Sequence, residues 1–174
     1  MNVRKITLPL TDEVVDTLRA GDKVLLSGVM TVARDAAHKR IYEAIASGNT
    51  PPVELKDAVI YYMGPSPASE GRPIGSAGPT TSGRMDKYTP TLLSLGVKAT
   101  VGKGARSAEV VRSIVKNHAV YFAAIGGCGA LLSKCITSSE TVCYGDLGAE
   151  AVLRITVEDF PAIVAVDCTG ESLY

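Results

Sequence analysis

Residues 23–46, KVLLSGVMTVARDAAHKRIYEAIA, decide the fold. The first ten form an apolar run broken only at Gly28, which reads as a buried strand. The run passes into Ala33-Arg34-Asp35, and a helix follows through about Ala46, stopped by Gly48. Ala37, Ile41, Ala44 and Ile45 fall on one face of that helix. Strands passing into helices recur along the chain, which indicates an α/β domain with a largely parallel central sheet.

Upstream, residues 3–8 alternate as an edge strand, and Thr11-Asp12 caps a short helix ended by Gly21. Downstream, residues 59–63 form the next strand. Residues 64–83, GPSPASEGRPIGSAGPTTSG, hold Gly, Pro and Ser with almost no large apolar group, the composition of a functional loop. Residues 84–95 read as helical, with Pro90 opening a fresh turn and Gly96 closing it. A strand at 97–101, a helix at 105–117 and a strand at 119–125 follow, and Gly126-Gly127 begins a small-residue helix or turn. Residues 139–143, 151–157 and 162–166 are further strands. The short strands near both ends predict a second, smaller sheet layer, and residues 1–174 read as a single domain.

With 46% hydrophobic residues the chain can build a sizeable interior, and 18 basic against 18 acidic residues give no electrostatic reason to expect a nucleic acid or anionic membrane. No stretch approaches the roughly 20 apolar residues that span a bilayer. The first six residues lack the features of a signal peptide, so the expected compartment is the cytoplasm. Cys128, Cys135, Cys143 and Cys168 include no C-x-x-C pair and read as reduced small hydrophobes, not as metal ligands.

The chemistry concentrates in residues 78–90, GPTTSGRMDKYTP. Thr80 and Thr81 stand just before an expected helix start, near free backbone N–H groups, and Arg84 follows Thr80 by about one helical turn. Simple capping by either threonine is the plainer alternative. Lys103 sits between Gly102 and Gly104 directly after a strand, and Arg34 stands where a strand passes into a helix. Arg34 has a second reading as a pair for Asp35 or Glu43. Two arginine forks and a lysine suit a small dianion such as a dicarboxylate. His38, one turn after Arg34, and His118, at a helix end, read as structural, and so does Tyr88.

At these residues the sequence resembles the C-terminal region of class I, iron–sulphur-dependent fumarases, which also occurs as the separate β subunit of two-subunit fumarases and L-tartrate dehydratases. GPTTSGRMDKYTP and LLSLGVKATVGKG carry the resemblance, with TVARDAAHKRI early and VEDFPAIVAVDCTGESLY at the end. It implies a swivelling three-layer β/β/α domain. It implies that Arg34, Thr81, Arg84 and Lys103 bind substrate and that Thr80 is the catalytic base, aided by a carboxylate from the other region. A [4Fe–4S] cluster would be held by an α partner subunit within a higher hetero-oligomer, with no metal in this chain. The implied reaction is reversible hydration of fumarate to L-malate, inactive without the partner. Tartrate dehydration and a stand-alone dicarboxylate-binding module are the alternatives.

Overall fold

The 23–32 run is a strand over its whole length, and its neighbours place it at the centre of the domain. A computed structural model describes residues 2–124 and 128–174. Its elements run β1 Arg4–Thr7, α1 Asp12–Thr17, β2 Lys23–Val32, α2 Asp35–Ala46, β3 Val59–Tyr61, β4 Met63–Pro65 and β5 Ala77–Pro79. After a 3-10 turn at Ser82–Met85 come α3 Thr89–Ser94, β6 Ala99–Gly102, α4 Ala108–Lys116, β7 Val120–Ala124, α5 Gly129–Ser133 and β8 Ile136–Cys143. A 3-10 segment, Gly145–Glu150, leads to β9 Val152–Val166. Gly126 and Gly127, read above as the start of a helix or turn, lie outside the described residues.

β1, β2, β3, β6 and β7 pair in parallel in that order, confirming a mixed α/β fold with a mostly parallel sheet. β9 runs antiparallel to β2 from Lys23↔Ile163 to Val32↔Leu153, while its far half also pairs with β7 and its near half with β8. The pairings therefore close β2, β3, β6, β7 and β9 into a ring, with β1 and β8 outside it. Leu26, Met30, Tyr61, Val101, Phe122, Phe160 and Val164 belong to one apolar cluster on the enclosed face. Ile60, Tyr62 and Tyr121 point the other way and join Ala37, Ile41, Leu92, Val110 and Ile114 from the helices in a second cluster. Burial on both faces explains why the parallel strands read as unbroken apolar runs.

Three expectations need correction. Residues 151–157 and 162–166 are one strand, not two. The two are joined through a bulge at Glu158-Asp159, with Asp159 at φ 49 and its N–H donating to Ser27 Oγ at 2.9 Å, while Phe160 and Pro161 already pair with Leu26 and Leu25. The short strands near the ends join the main sheet; the small second sheet is the β4–β5 hairpin inside the Gly- and Pro-rich loop, which Tyr61 ties down by donating from its hydroxyl to the Ala77 carbonyl. The 84–95 helix divides, because Pro90 brings no N–H and Thr89 Oγ1 instead donates to the Met85 carbonyl at 2.9 Å. Among the described residues no helix is long and apolar enough to cross a membrane.

Gly28 sits at the register shift opposite the Asp159 bulge, at φ 135, and a Cβ there would lie 2.8 Å from Leu8 Cβ. Gly28→Ala should therefore cost about 1–3 kcal/mol, read as a lower urea midpoint with an unchanged slope.

Candidate active site

The parallel strands end on one side, and the residues singled out above lie there. Arg34 follows β2 and Lys103 follows β6. Thr80 follows β5 and is brought alongside because its N–H donates to the Tyr62 carbonyl, just past β3, at 2.8 Å. Ligands gather at such strand ends in α/β sheets.

Two of the three cations converge on one carboxylate. Arg84 donates to Asp35 through Nε at 2.9 Å and Nη2 at 2.8 Å, a two-pronged pair. Its Nη1 donates to Thr80 Oγ1 at 3.2 Å. Arg34 Nε lies 3.6 Å from Asp35 and 3.7 Å from Glu150, yet this buried atom makes no hydrogen bond among the described residues. Of the two carboxylates suggested for Arg34, the structure places Asp35 beside it and brings in Glu150 from a distant turn. Buried polar atoms are nearly always bonded, and this enclosed N–H would meet a further acceptor only if the Arg34 side chain moved. The Arg84 side chain is half exposed, so its pair with Asp35 is worth only about 0–1 kcal/mol and is exchangeable for another carboxylate.

Thr81 and Lys103 are joined through the backbone. They form a parallel bridge, and Ser82 N–H donates to the Lys103 carbonyl at 2.9 Å. Neither threonine caps the following turn: Thr81 makes no side-chain cap bond and Thr80 is turned to Arg84. Arg34, Thr80 and Arg84 thus share one cluster, with Thr81 and Lys103 beside it and exposed.

Sequence reasoning missed the groups that hold these loops. Tyr121, on β7, donates from its hydroxyl to the Gly104 carbonyl at 2.7 Å and is bonded to buried Ser82 Oγ at 2.8 Å. One side chain therefore clips the 80–84 loop to the 102–104 loop. A Cβ on Gly102 would meet Ser82 Oγ at 2.0 Å and the Tyr62 ring at 2.9 Å, so only glycine fits there. Beneath lies Arg106, its side chain fully buried, with Nε donating to Asp86 at 2.7 Å and its other nitrogens to Thr89, Thr100 and Tyr62. Asp86 also accepts from Ser107 N–H at 2.7 Å, so both its oxygens are engaged away from Thr80. Nothing in the periodicity separates Arg106 from a surface arginine, and Tyr121 reads as one more apolar strand residue.

His38 is a packing residue, as read. It is buried, packs against Tyr62 and Tyr88, and donates from Nδ1 to the Arg34 carbonyl at 2.8 Å, which fixes the backbone at Arg34. Burial, opposed in part by that hydrogen bond, pushes its pKa down to about 4. The four cysteines are all free. Among the described residues, the one group of three or more metal-capable side chains holds a single cysteine, which does not fit the set of thiolates an iron–sulphur cluster requires.

Fold and site together define a mixed α/β domain with two arginines gathered around the Asp35 carboxylate at the ends of its parallel strands. The family description "Fumarase C-terminus" matches residues 1–174, and the chain belongs to that family. It is similar to Fumarate hydratase 2 of Leishmania major, 42% identical over 88% of this chain and 28% of that protein. Fumarate hydratase class I, anaerobic, of Escherichia coli is 42% identical over 87% of this chain and 28% of its own length. The putative L(+)-tartrate dehydratase subunit beta of Methanocaldococcus jannaschii is 38% identical over 95% of this chain and 88% of its own length. The chain thus spans about a third or less of the fumarate hydratases it matches, and it is a member of an enzyme family that includes hydro-lyases.

Two outcomes test the framework. Folded His38 stays neutral down to about pH 4, whereas an unfolded imidazole takes up its proton near 6.5. Its contribution is complete above about pH 6.5 and fades as pH falls toward 4, a loss of about 3 kcal/mol. His38→Gln should flatten that limb of a stability–pH profile measured in urea. Asp86→Ala strands a buried guanidinium and should cost about 3–5 kcal/mol, most of it recovered in the double variant Asp86→Ala/Arg106→Met.

Proposed function

We propose that this chain is the β subunit of a two-subunit iron–sulphur hydro-lyase that hydrates fumarate reversibly to L-malate. In this reading residues 1–174 act as one domain that holds the substrate carboxylates and supplies the base. The observation that carries the proposal is the carboxylate seated in the Arg84 fork beside the unsatisfied Arg34 Nε. A substrate carboxylate would replace Asp35 there, and Lys103 with Thr81 would meet the second one. The family's swivelling three-layer arrangement belongs to the same proposal.

Thr80 is assigned the proton. In the malate-to-fumarate direction its oxygen takes the proton from carbon, the C–H electron pair becomes the double bond and the hydroxyl leaves as hydroxide, for which the partner's cluster would supply a Lewis acid; in the reverse direction Thr80 returns the proton. A threonine hydroxyl is a weak base, so it must first lose its own proton to a neighbouring group. Arg84 Nη1, donating to Thr80 Oγ1 at 3.2 Å, stabilises the oxyanion so formed. The acceptor of the threonine proton is assigned to a carboxylate of the α subunit. The [4Fe–4S] cluster is assigned to that subunit too, because this chain's cysteines do not suit one. This chain alone should then be inactive, and the exposure of Thr81, Arg84 and Lys103 suits a face that the α subunit covers. A cytoplasmic hetero-oligomer, with neither nucleic acid nor membrane as partner, completes the reading.

L-Tartrate dehydration is the second reading, favoured by the match along nearly the whole of the M. jannaschii β subunit. Anaerobic purification of a tagged copy from native lysate, assayed with fumarate, malate and tartrate, separates the two. An iron–sulphur partner with fumarate–malate turnover supports the first and tartrate turnover the second. The chain alone, bound to a dicarboxylate without turnover, would leave a binding module. In the active complex Arg84→Ala should lower turnover by about 10²–10³-fold with the complex intact. Thr80→Val should lower it by about 10²–10⁴-fold. Near-normal activity in either variant would remove that residue from its role.

A further inference from the structure

At the opposite end of the sheet three chain segments bring together donors that the reaction does not use. Asp16 lies in α1, His118 in the turn before β7, and Cys168 just after β9. One ligand atom from each falls within 4.8 Å of the others. Oxygen, imidazole nitrogen and sulphur from three distant segments form the mixed set that a tetrahedral, borderline-soft cation takes, at roughly 2.0–2.3 Å per bond.

The surroundings are organised for the same end. His118 Nε2 faces Asp16 Oδ1 at 2.7 Å, while Nδ1 faces Asp12 Oδ1 at 3.2 Å. A carboxylate on the far ring nitrogen is the usual partner that orients a metal-binding histidine. Asp12 is itself fixed by an ion pair with Lys98. His118 occupies the residue after the α4 cap at φ 52, a left-handed conformation where glycine is the usual choice. Cys168 follows Asp167, a buried carboxylate that accepts from Ala20 N–H, Thr169 N–H, the Thr169 hydroxyl and Glu171 N–H, which pins the turn carrying the thiol. All three donors therefore stand on backbone that is already fixed, so little ordering remains for binding to impose.

We propose that Asp16, His118 and Cys168 form a binding site for one divalent transition-metal ion of the zinc type, with Asp12 orienting His118 and a fourth position open to water. Binding replaces the Nε2 proton between His118 and Asp16 by the metal and takes the Cys168 thiol as thiolate, releasing protons. The site is remote from the anion clamp and independent of the reaction proposed above.

The test is cobalt titration of the reduced, full chain under anaerobic conditions. One equivalent of Co²⁺ should produce a thiolate-to-cobalt charge-transfer band with the intense visible bands of tetrahedral cobalt, and one equivalent of Zn²⁺ should abolish both. Cys168→Ser should lose the charge-transfer band, whereas Cys135→Ser should keep it. Asp16→Asn, an exposed substitution that leaves the core untouched, should weaken Co²⁺ binding at least about tenfold, and Asp12→Asn by about 10–100-fold. Absence of the band at one equivalent, or its persistence in Cys168→Ser, would overturn the proposal. So would unchanged affinity in Asp16→Asn.

Discussion

The double pairing of β9 is the constraint on which the rest of this molecule depends. Ala162 and Ile163 pair with β2 on one edge and with β7 on the other, so a single strand turns an open sheet into a ring. Closure fixes the orientation of the parallel strands inside it, and with it the side on which their carboxyl ends emerge. It also forces the chain to bend, which is why a positive-φ Asp159 faces a positive-φ Gly28 across the same pair of strands. Enclosing Phe122, Phe160 and Val164 on one face and packing Ile60, Tyr62 and Tyr121 under helices on the other leaves no strand of the ring free to shift register without exposing apolar surface.

On that frame the site is held by polar groups of contrasting burial. Arg106 and Asp86 are out of water, so their pairing is a demand of the fold as much as a source of stability: either partner alone would be an uncompensated charge. Arg84 and Asp35 are partly in water, and the same chemistry there is weak enough to exchange. The difference decides the roles. The buried pair holds the turn at Ser82–Met85 still, and the exposed pair is the one that the proposed function asks to open. Tyr121 links the two levels, since its hydroxyl reaches both the loop that carries Arg84 and the loop that carries Lys103.

How far the sequence discloses this depends on range. The β2–α2 passage was legible because a ten-residue apolar run followed by apolar residues at helical spacing has few other readings, and the Thr11 and Gly96 punctuation was local in the same way. Arg34 and Lys103 were legible as residues that follow strands, while Thr80, Thr81 and Arg84 came with the 78–90 motif and the family resemblance. What stayed hidden was non-local. Asp159-Phe160-Pro161 looks like a break unless β2 is known to run opposite it. Arg106 looks solvated until Tyr62, Thr89 and Asp86 surround it, and those three come from different elements. Asp35 as the resident of the Arg84 fork was equally unreadable, since the two are 49 residues apart.

The two ends of the sheet can therefore be assigned different work on physical grounds. The carboxyl ends present charges in partial contact with water, tied by weak, exchangeable pairs, as a substrate-handling surface requires. The amino ends gather the starts of β6 and β7, the end of β9 and helix α1. An ion bound by Asp16, His118 and Cys168 would cross-link α1, the entry to β7 and the exit from β9, all three of which meet the ring. Binding to the folded state alone raises stability by mass action without altering the clamp. Because β9 closes the ring at that same end, a cross-link there acts on the strand whose release would open the whole domain.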